Sequence, residues 1–93
     1  MTAGRWRVEL MPSARRDLDR LPESVAAAVL EMIARLAVEP RLMGKPLRWE
    51  LEGLWSARRG TYLVIYRLSE DDALVQVITI DHRADVYGRG RRR

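Results

Sequence analysis

Five side chains in the C-terminal half of this sequence carry the chemistry its composition allows: Arg58, Arg59, His82, Arg83 and Tyr87, all expected at strand ends or just beyond them. Guanidinium groups bind phosphate bidentately and stabilise the extra negative charge of a pentacoordinate phosphoryl transition state. They hold their protons, so a conventional acid/base pair is missing. His82, the single histidine, is the one residue of a type that titrates near neutrality. The same arginines would equally serve to solvate a sheet edge with Tyr87 packed beside them. Residue types alone leave both readings open.

Other chemistries find little support. There is no GxxxxGK[ST] run, no GxGxxG after a strand and no HExxH. A Ser-His-Asp set can be written from His82 with Asp81 or Asp85, but no serine sits on a nucleophile elbow. Glu70-Asp71-Asp72 reads as a solvated hairpin tip rather than a glycosidase pair. With no Cys and one His, neither a disulfide framework nor a thiolate or imidazole metal centre can be assembled.

Charge is unevenly distributed along the 93 residues, whose net charge is +4. Residues 1–40 carry six arginines against six acids. Residues 41–67 carry Arg41, Lys45, Arg48, Arg58, Arg59 and Arg67 against only Glu50 and Glu52. Residues 68–87 are acidic, and Gly88 to Arg93 add four arginines without an acid. Clustered arginine is the footprint of a polyanion partner. Apolar residues at 47% and charged residues at 32% indicate a globular domain. No apolar run approaches the ~20 residues of a membrane span and no secretory leader is evident, so a cytoplasmic protein with no membrane contact is expected.

The elements that must position these residues follow from periodicity. Trp6, Val8 and Leu10 alternate with Arg7 and Glu9, which predicts a half-buried strand ended by Pro12. Ser13 then reads as the N-cap of a short helix carrying Ala14, Leu18 and Leu21 on one stripe. A second helix opens at Pro22 and buries Val25, Val29, Met32, Ile33 and Leu36 until Pro40 stops it. Residues 41–53, with Gly44, Pro46 and Gly53, lack periodicity and read as a basic loop. Strands are expected over 54–58, 62–68 and 74–80, with turns at Arg59-Gly60 and Glu70-Asp71-Asp72. Residues 81–87 then leave the sheet edge. The expected architecture is α+β, in the order β-α-α-β-β-β: a helical hairpin on one face of a four-stranded, largely antiparallel sheet. It forms one domain over residues 1–87, with 88–93 as a disordered tail.

Gly44-Lys45-Pro46-Leu47-Arg48, the run Leu51-Glu52-Gly53-Leu54-Trp55-Ser56-Ala57-Arg58-Arg59-Gly60-Thr61-Tyr62, then Val64-Ile65-Tyr66-Arg67 and Asp81-His82-Arg83-Ala84-Asp85-Val86-Tyr87, together resemble the RelE family of the RelE/ParE toxin superfamily, and within it the actinobacterial, mycobacterial-type members. That resemblance spans nearly the whole chain and agrees with the element order. It implies the toxin of a type II toxin–antitoxin pair, a ribosome-dependent endoribonuclease that cuts mRNA in the A site by attack of the ribose 2′-hydroxyl on the adjacent phosphate. It further implies a RelB-like antitoxin, a hetero-oligomeric complex, a toxin that is monomeric alone, and no metal or organic cofactor. In these terms Arg83 stabilises the phosphate and protonates the leaving oxygen, Tyr87 orients a base, and Arg58 is a basic position on the second strand. Lys45, Arg48, Arg59 and Arg67 become candidate contacts to RNA or the ribosome, and His82 a further candidate for the catalytic set.

One departure matters. Where the family places an arginine after the tyrosine that starts the third strand, this chain has Leu63, and Ser56 occupies another commonly basic position. Losing a charge-assisted transition-state contact lowers a rate by ~10²–10³-fold. Either Arg59 or Arg67 reaches into the gap or the activity is attenuated. An inactive toxin that still binds its antitoxin, and a ParE-like inhibitor of DNA gyrase, are the competing functions.

Overall fold

The computed structural model describes residues 6–82; Arg83, Tyr87 and the tail at 88–93 lie outside the described residues. Strand β1 (Arg7–Leu10) forms where Val8 and Leu10 alternate with exposed Arg7 and Glu9. Helix α1 (Pro12–Asp19) opens on proline, whose missing N–H removes nothing from a first helical turn. Met11, not Ser13, holds the N-cap position; the Ser13 hydroxyl donates instead to the Ile78 carbonyl. Helix α2 (Glu23–Leu36) starts one residue later than expected, with Pro22 at the N-cap. Val29, Met32, Ile33 and Leu36 form its buried stripe, as the spacing predicts.

The segment read as a basic loop is more structured than its sequence suggests. It contains a single turn of helix, α3 (Pro40–Met43), a two-residue strand, β2 (Lys45–Pro46), and a 3₁₀ turn at Trp49–Leu51. Strands β3 (Leu54–Arg59), β4 (Tyr62–Ser69) and β5 (Leu74–His82) follow, β5 running two residues further than expected. The sheet therefore has five strands, not four, in the order β1-β5-β4-β3-β2. It is mixed: β1 runs parallel to β5 and every other pair is antiparallel. Pro46 is tolerated because β2 is the edge strand, where no neighbour needs its missing N–H.

Beyond Leu10 the β5 edge loses its strand partner, and α1 takes over. The Met11 amide donates to the Val77 carbonyl at 2.9 Å. Asp17 Oδ2 then accepts from the Ile80 amide at 2.9 Å and from Thr79 Oγ1 at 2.7 Å. An otherwise bare edge is thereby closed by helix side chains. The hairpin covers one sheet face, where the α2 stripe meets Ala57, Val64, Tyr66, Val75, Val77 and Ile80 in a single core.

Tyr66 anchors the far end of that core. Its ring stacks on Trp55 with centroids 6.3 Å apart, and its hydroxyl donates to the Pro40 carbonyl at 2.6 Å. Burial pushes its pKa up from 10.0 to about 12. Gly44 is required by close approach: an added Cβ would meet the Tyr66 hydroxyl and lie 2.6 Å from the Ser56 carbonyl oxygen.

Candidate functional site

Side chains alternate across a strand, so the sheet sorts the candidate residues onto two faces. Tyr62, Val64, Tyr66 and Leu68 of β4 pack toward the helices, which leaves Leu63, Ile65 and Arg67 on the opposite face, the one left open by the described helices. Registers carry this sorting across the neighbours. Arg58 of β3 stands directly opposite Leu63, and Asp81 of β5 flanks Leu63 on the other side. A second rung aligns Leu54, Arg67 and Gln76 with Glu9. A third aligns Lys45 with Ser56 and Ile65.

The open face thus collects Lys45, Arg58 and Arg67, all exposed, around a partly apolar floor of Leu54, Leu63 and Ile65. None of these three cations forms an ion pair with another described residue. Such a surface offers fixed positive charge to a phosphate backbone without committing it internally. Among the described residues no group of three or more His, Cys, Asp or Glu is arranged to hold a metal ion.

The gap at Leu63 is not filled by either arginine named for it. Arg59 lies on the helix side of β3, opposite Tyr62, and points its guanidinium at Glu31 of α2 at 3.5 Å. Arg67 shares the open face but lies four residues along β4, or about 13 Å away. Leu63 itself is only 5% exposed, and Arg58 is its one cationic cross-strand neighbour. His82 also falls on the helix side, its ring meeting Tyr62 edge-on at 5.0 Å. The structure therefore groups Arg58, Arg67 and Lys45 and separates Arg59 and His82 from them. Arg48 is exposed beyond β2, at the start of the 3₁₀ turn. Arg83 and Tyr87 fall outside the described residues.

Two further residues stand on this face that the sequence reading did not assign to it. Asp81 places a carboxylate beside Leu63 on the open face, and Arg7 extends the face along β1. Alternation within each strand was visible in sequence, but which strands are neighbours was not.

Residues 8–87 match the family described as the ParE toxin of type II toxin–antitoxin systems, parDE, and the chain belongs to that family. It is 47% identical over 85 residues to Toxin RelG of Mycobacterium tuberculosis, covering 90% of this chain and 98% of the relative. It is 45% identical over 83 residues to Toxin RelE of the same organism, covering 88% of this chain and 86% of the relative. Its fold is similar to that of a chain in the crystal structure of the RelBE2 toxin–antitoxin complex from M. tuberculosis, with a TM-score of 0.81, 45% identity, and coverage of 85% of this chain and 99% of that one. The likeness to mycobacterial-type RelE toxins inferred from the motifs holds.

Proposed function

We propose that this chain is a ribosome-dependent endoribonuclease toxin that cuts mRNA in the A site, at a rate held down by Leu63. The observation that carries this reading is the sheet face, left open by the described helices, along which Arg58, Arg67 and Lys45 are all exposed. In the reaction, the substrate supplies its own nucleophile: the 2′-oxygen bonds to the adjacent phosphorus as the bond to the 5′-oxygen breaks. A 2′,3′-cyclic phosphate and a 5′-hydroxyl result, the proton lost by the 2′-hydroxyl being balanced by the one gained at the 5′-oxygen. No redox or metal step is required. The protein contributes position and charge, with Arg58 nearest the Leu63 gap, Arg83 at the phosphate and leaving oxygen, and Tyr87 at a base. Arg83 is the first residue after β5 and Tyr87 follows four residues later; the resemblance of the Asp81-His82-Arg83-Ala84-Asp85-Val86-Tyr87 run to RelE toxins is what supports giving them these roles.

A RelB-like antitoxin is the partner that best fits the RelBE2 complex; the toxin alone would be a cytoplasmic monomer. Asp81 and the buried Leu63 favour one second reading, a toxin that still binds its antitoxin but cuts slowly or not at all. The test is induction of the chain with mapping of mRNA 5′ ends. In-codon cuts on translated messages that vanish in Arg83→Ala and fall at least tenfold in Arg58→Ala support the nuclease. Growth arrest without cuts turns the assignment toward the competing reading, an inhibitor of DNA gyrase. Neither arrest nor cuts leaves the inactive antitoxin binder.

A further inference from the structure

Beside the open face, at the β2–β3 edge, lies a groove of about 410 Å³ whose lining includes Pro46, Arg48, Trp49, Glu52, Leu54 and Trp55. Trp49 is 83% exposed, the highest value for a large apolar side chain among the described residues. Its backbone sits at φ 62°, a conformation that bulky side chains avoid and that recurs where function holds a residue in place. An indole displayed to solvent on an unfavourable backbone is not explained by packing. Trp55, by contrast, is anchored against Tyr66 and gives the groove a fixed inner wall.

We propose that this groove binds a single unpaired nucleobase of RNA, stacked on Trp49, next to but separate from the cleavage site; the proposal rests on the nuclease reading above. Three features identify the occupant. The indole offers a stacking surface of the kind that unpaired bases use on proteins. Arg48, adjacent in the chain and also lining the groove, supplies a cation for the flanking phosphate. Leu54 lines the groove and also stands on the open face opposite Arg67, so one RNA strand can run from the basic face into the groove. Glu52 is the acid in the lining, and a carboxylate there accepts from an exocyclic amino group, as on adenine or cytosine, which uracil lacks. The 3₁₀ turn that presents Trp49 thus becomes a second point of contact, setting which nucleotide lies beside the one that is cut.

The experiment measures binding of the full chain to short single-stranded RNAs, of mixed sequence and of uridine only, and to 70S ribosomes. Trp49→Ala should weaken binding of the mixed RNA about 5–150-fold, the range of one lost base stack, while Trp49→Tyr stays within about threefold of the parent. Glu52→Ala should erase any preference over oligouridine. Because Trp49 is exposed, Trp49→Ala should leave the melting temperature unchanged, and Trp49→Gly should raise it by relieving the backbone while still losing affinity. Binding that is insensitive to Trp49→Ala yet lost in Arg58→Ala overturns the stacking site and leaves the nuclease reading intact. Failure of the parent to bind either RNA or ribosomes overturns both. If Trp49→Ala spares RNA binding but weakens the antitoxin complex, the occupant is protein and the proposal fails.

Discussion

Leu63→Arg tests in one variant both the packing of Leu63 and the proposal that the lack of a charge there slows cleavage. Leu63 is 5% exposed, so removing its buried side chain forfeits about 2–3 kcal/mol of apolar burial. The incoming guanidinium would stand between Arg58 and Asp81. A like charge opposite on one strand and an unlike charge on the other contribute terms of roughly 0.2–1 kcal/mol that oppose each other. Arginine can also lay its aliphatic stem over Ile65 and hold its head in water, which recovers part of the loss. A net destabilisation of about 1–3 kcal/mol follows, or a fall in Tm of roughly 5–20 °C for a domain of this size.

Cleavage should move in the other direction. A restored guanidinium at the centre of the open face should raise the rate of mRNA cutting ~10²–10³-fold in a reconstituted translation reaction read by primer extension. Asp81 would compete with the phosphate for the new cation, so Leu63→Arg combined with Asp81→Asn should cut faster than Leu63→Arg alone. The volume-conserving Leu63→Met is the control, expected to shift Tm little and cleavage not at all. A variant that melts lower but cuts no faster refutes the attenuation argument and leaves Arg58 as sufficient. An unchanged Tm refutes the claim that Leu63 is packed.

The other predictions concern the Tyr66 anchor. Tyr66→Phe strands the Pro40 carbonyl that the hydroxyl reaches at 2.6 Å and should destabilise by about 1–3 kcal/mol in chemical denaturation, without abolishing antitoxin binding. In the parent, the unfolded phenol ionises near 10.0 while the folded one is held to about 12, so the folded state keeps its proton longer. Stability from this group is complete below pH 10 and should decline by about 2–3 kcal/mol between pH 10 and 12, a decline absent in the Phe variant. Gly44→Ala places a Cβ against both the Tyr66 hydroxyl and the Ser56 carbonyl and should destabilise by about 1–3 kcal/mol. Removing the hydroxyl relieves one of those contacts, so a double mutant with Tyr66→Phe should be less damaged than the sum of the two.

Legibility of the sequence depended on how many residues each signal spans. The α2 stripe of Val29, Met32, Ile33 and Leu36 repeats over more than two turns, and its reading survives intact. Strand β2 is two residues long and is held by pairing with Ser56 and Trp55, not by any pattern of its own. No periodicity can announce such an element, which is why residues 41–53 read as a loop and the sheet was counted one strand short. The α1 start failed for a related reason. Ser13 is a good N-cap by type, but the chain turns helical one residue earlier at Pro12, with Met11 as N-cap, and the Ser13 hydroxyl donates to the Ile78 carbonyl on a distant strand, a partner invisible to local reasoning.

Adjacent Arg58 and Arg59 show what composition cannot reveal about a site. In sequence they form one basic pair; in a strand, neighbours face opposite ways, and here Arg58 is presented on the open face while Arg59 is turned to Glu31. Charge counted along the chain therefore overstates the charge available to a polyanion. The same parity rule puts Leu63 and Arg67 on one face but His82 with Tyr62 on the other. It makes a compensating role for Arg59 or His82 at the open face dependent on breaking a contact already made. Arg58 requires no such rearrangement, so any activity that persists with leucine at position 63 should depend on Arg58 more heavily than in a relative that retains the arginine.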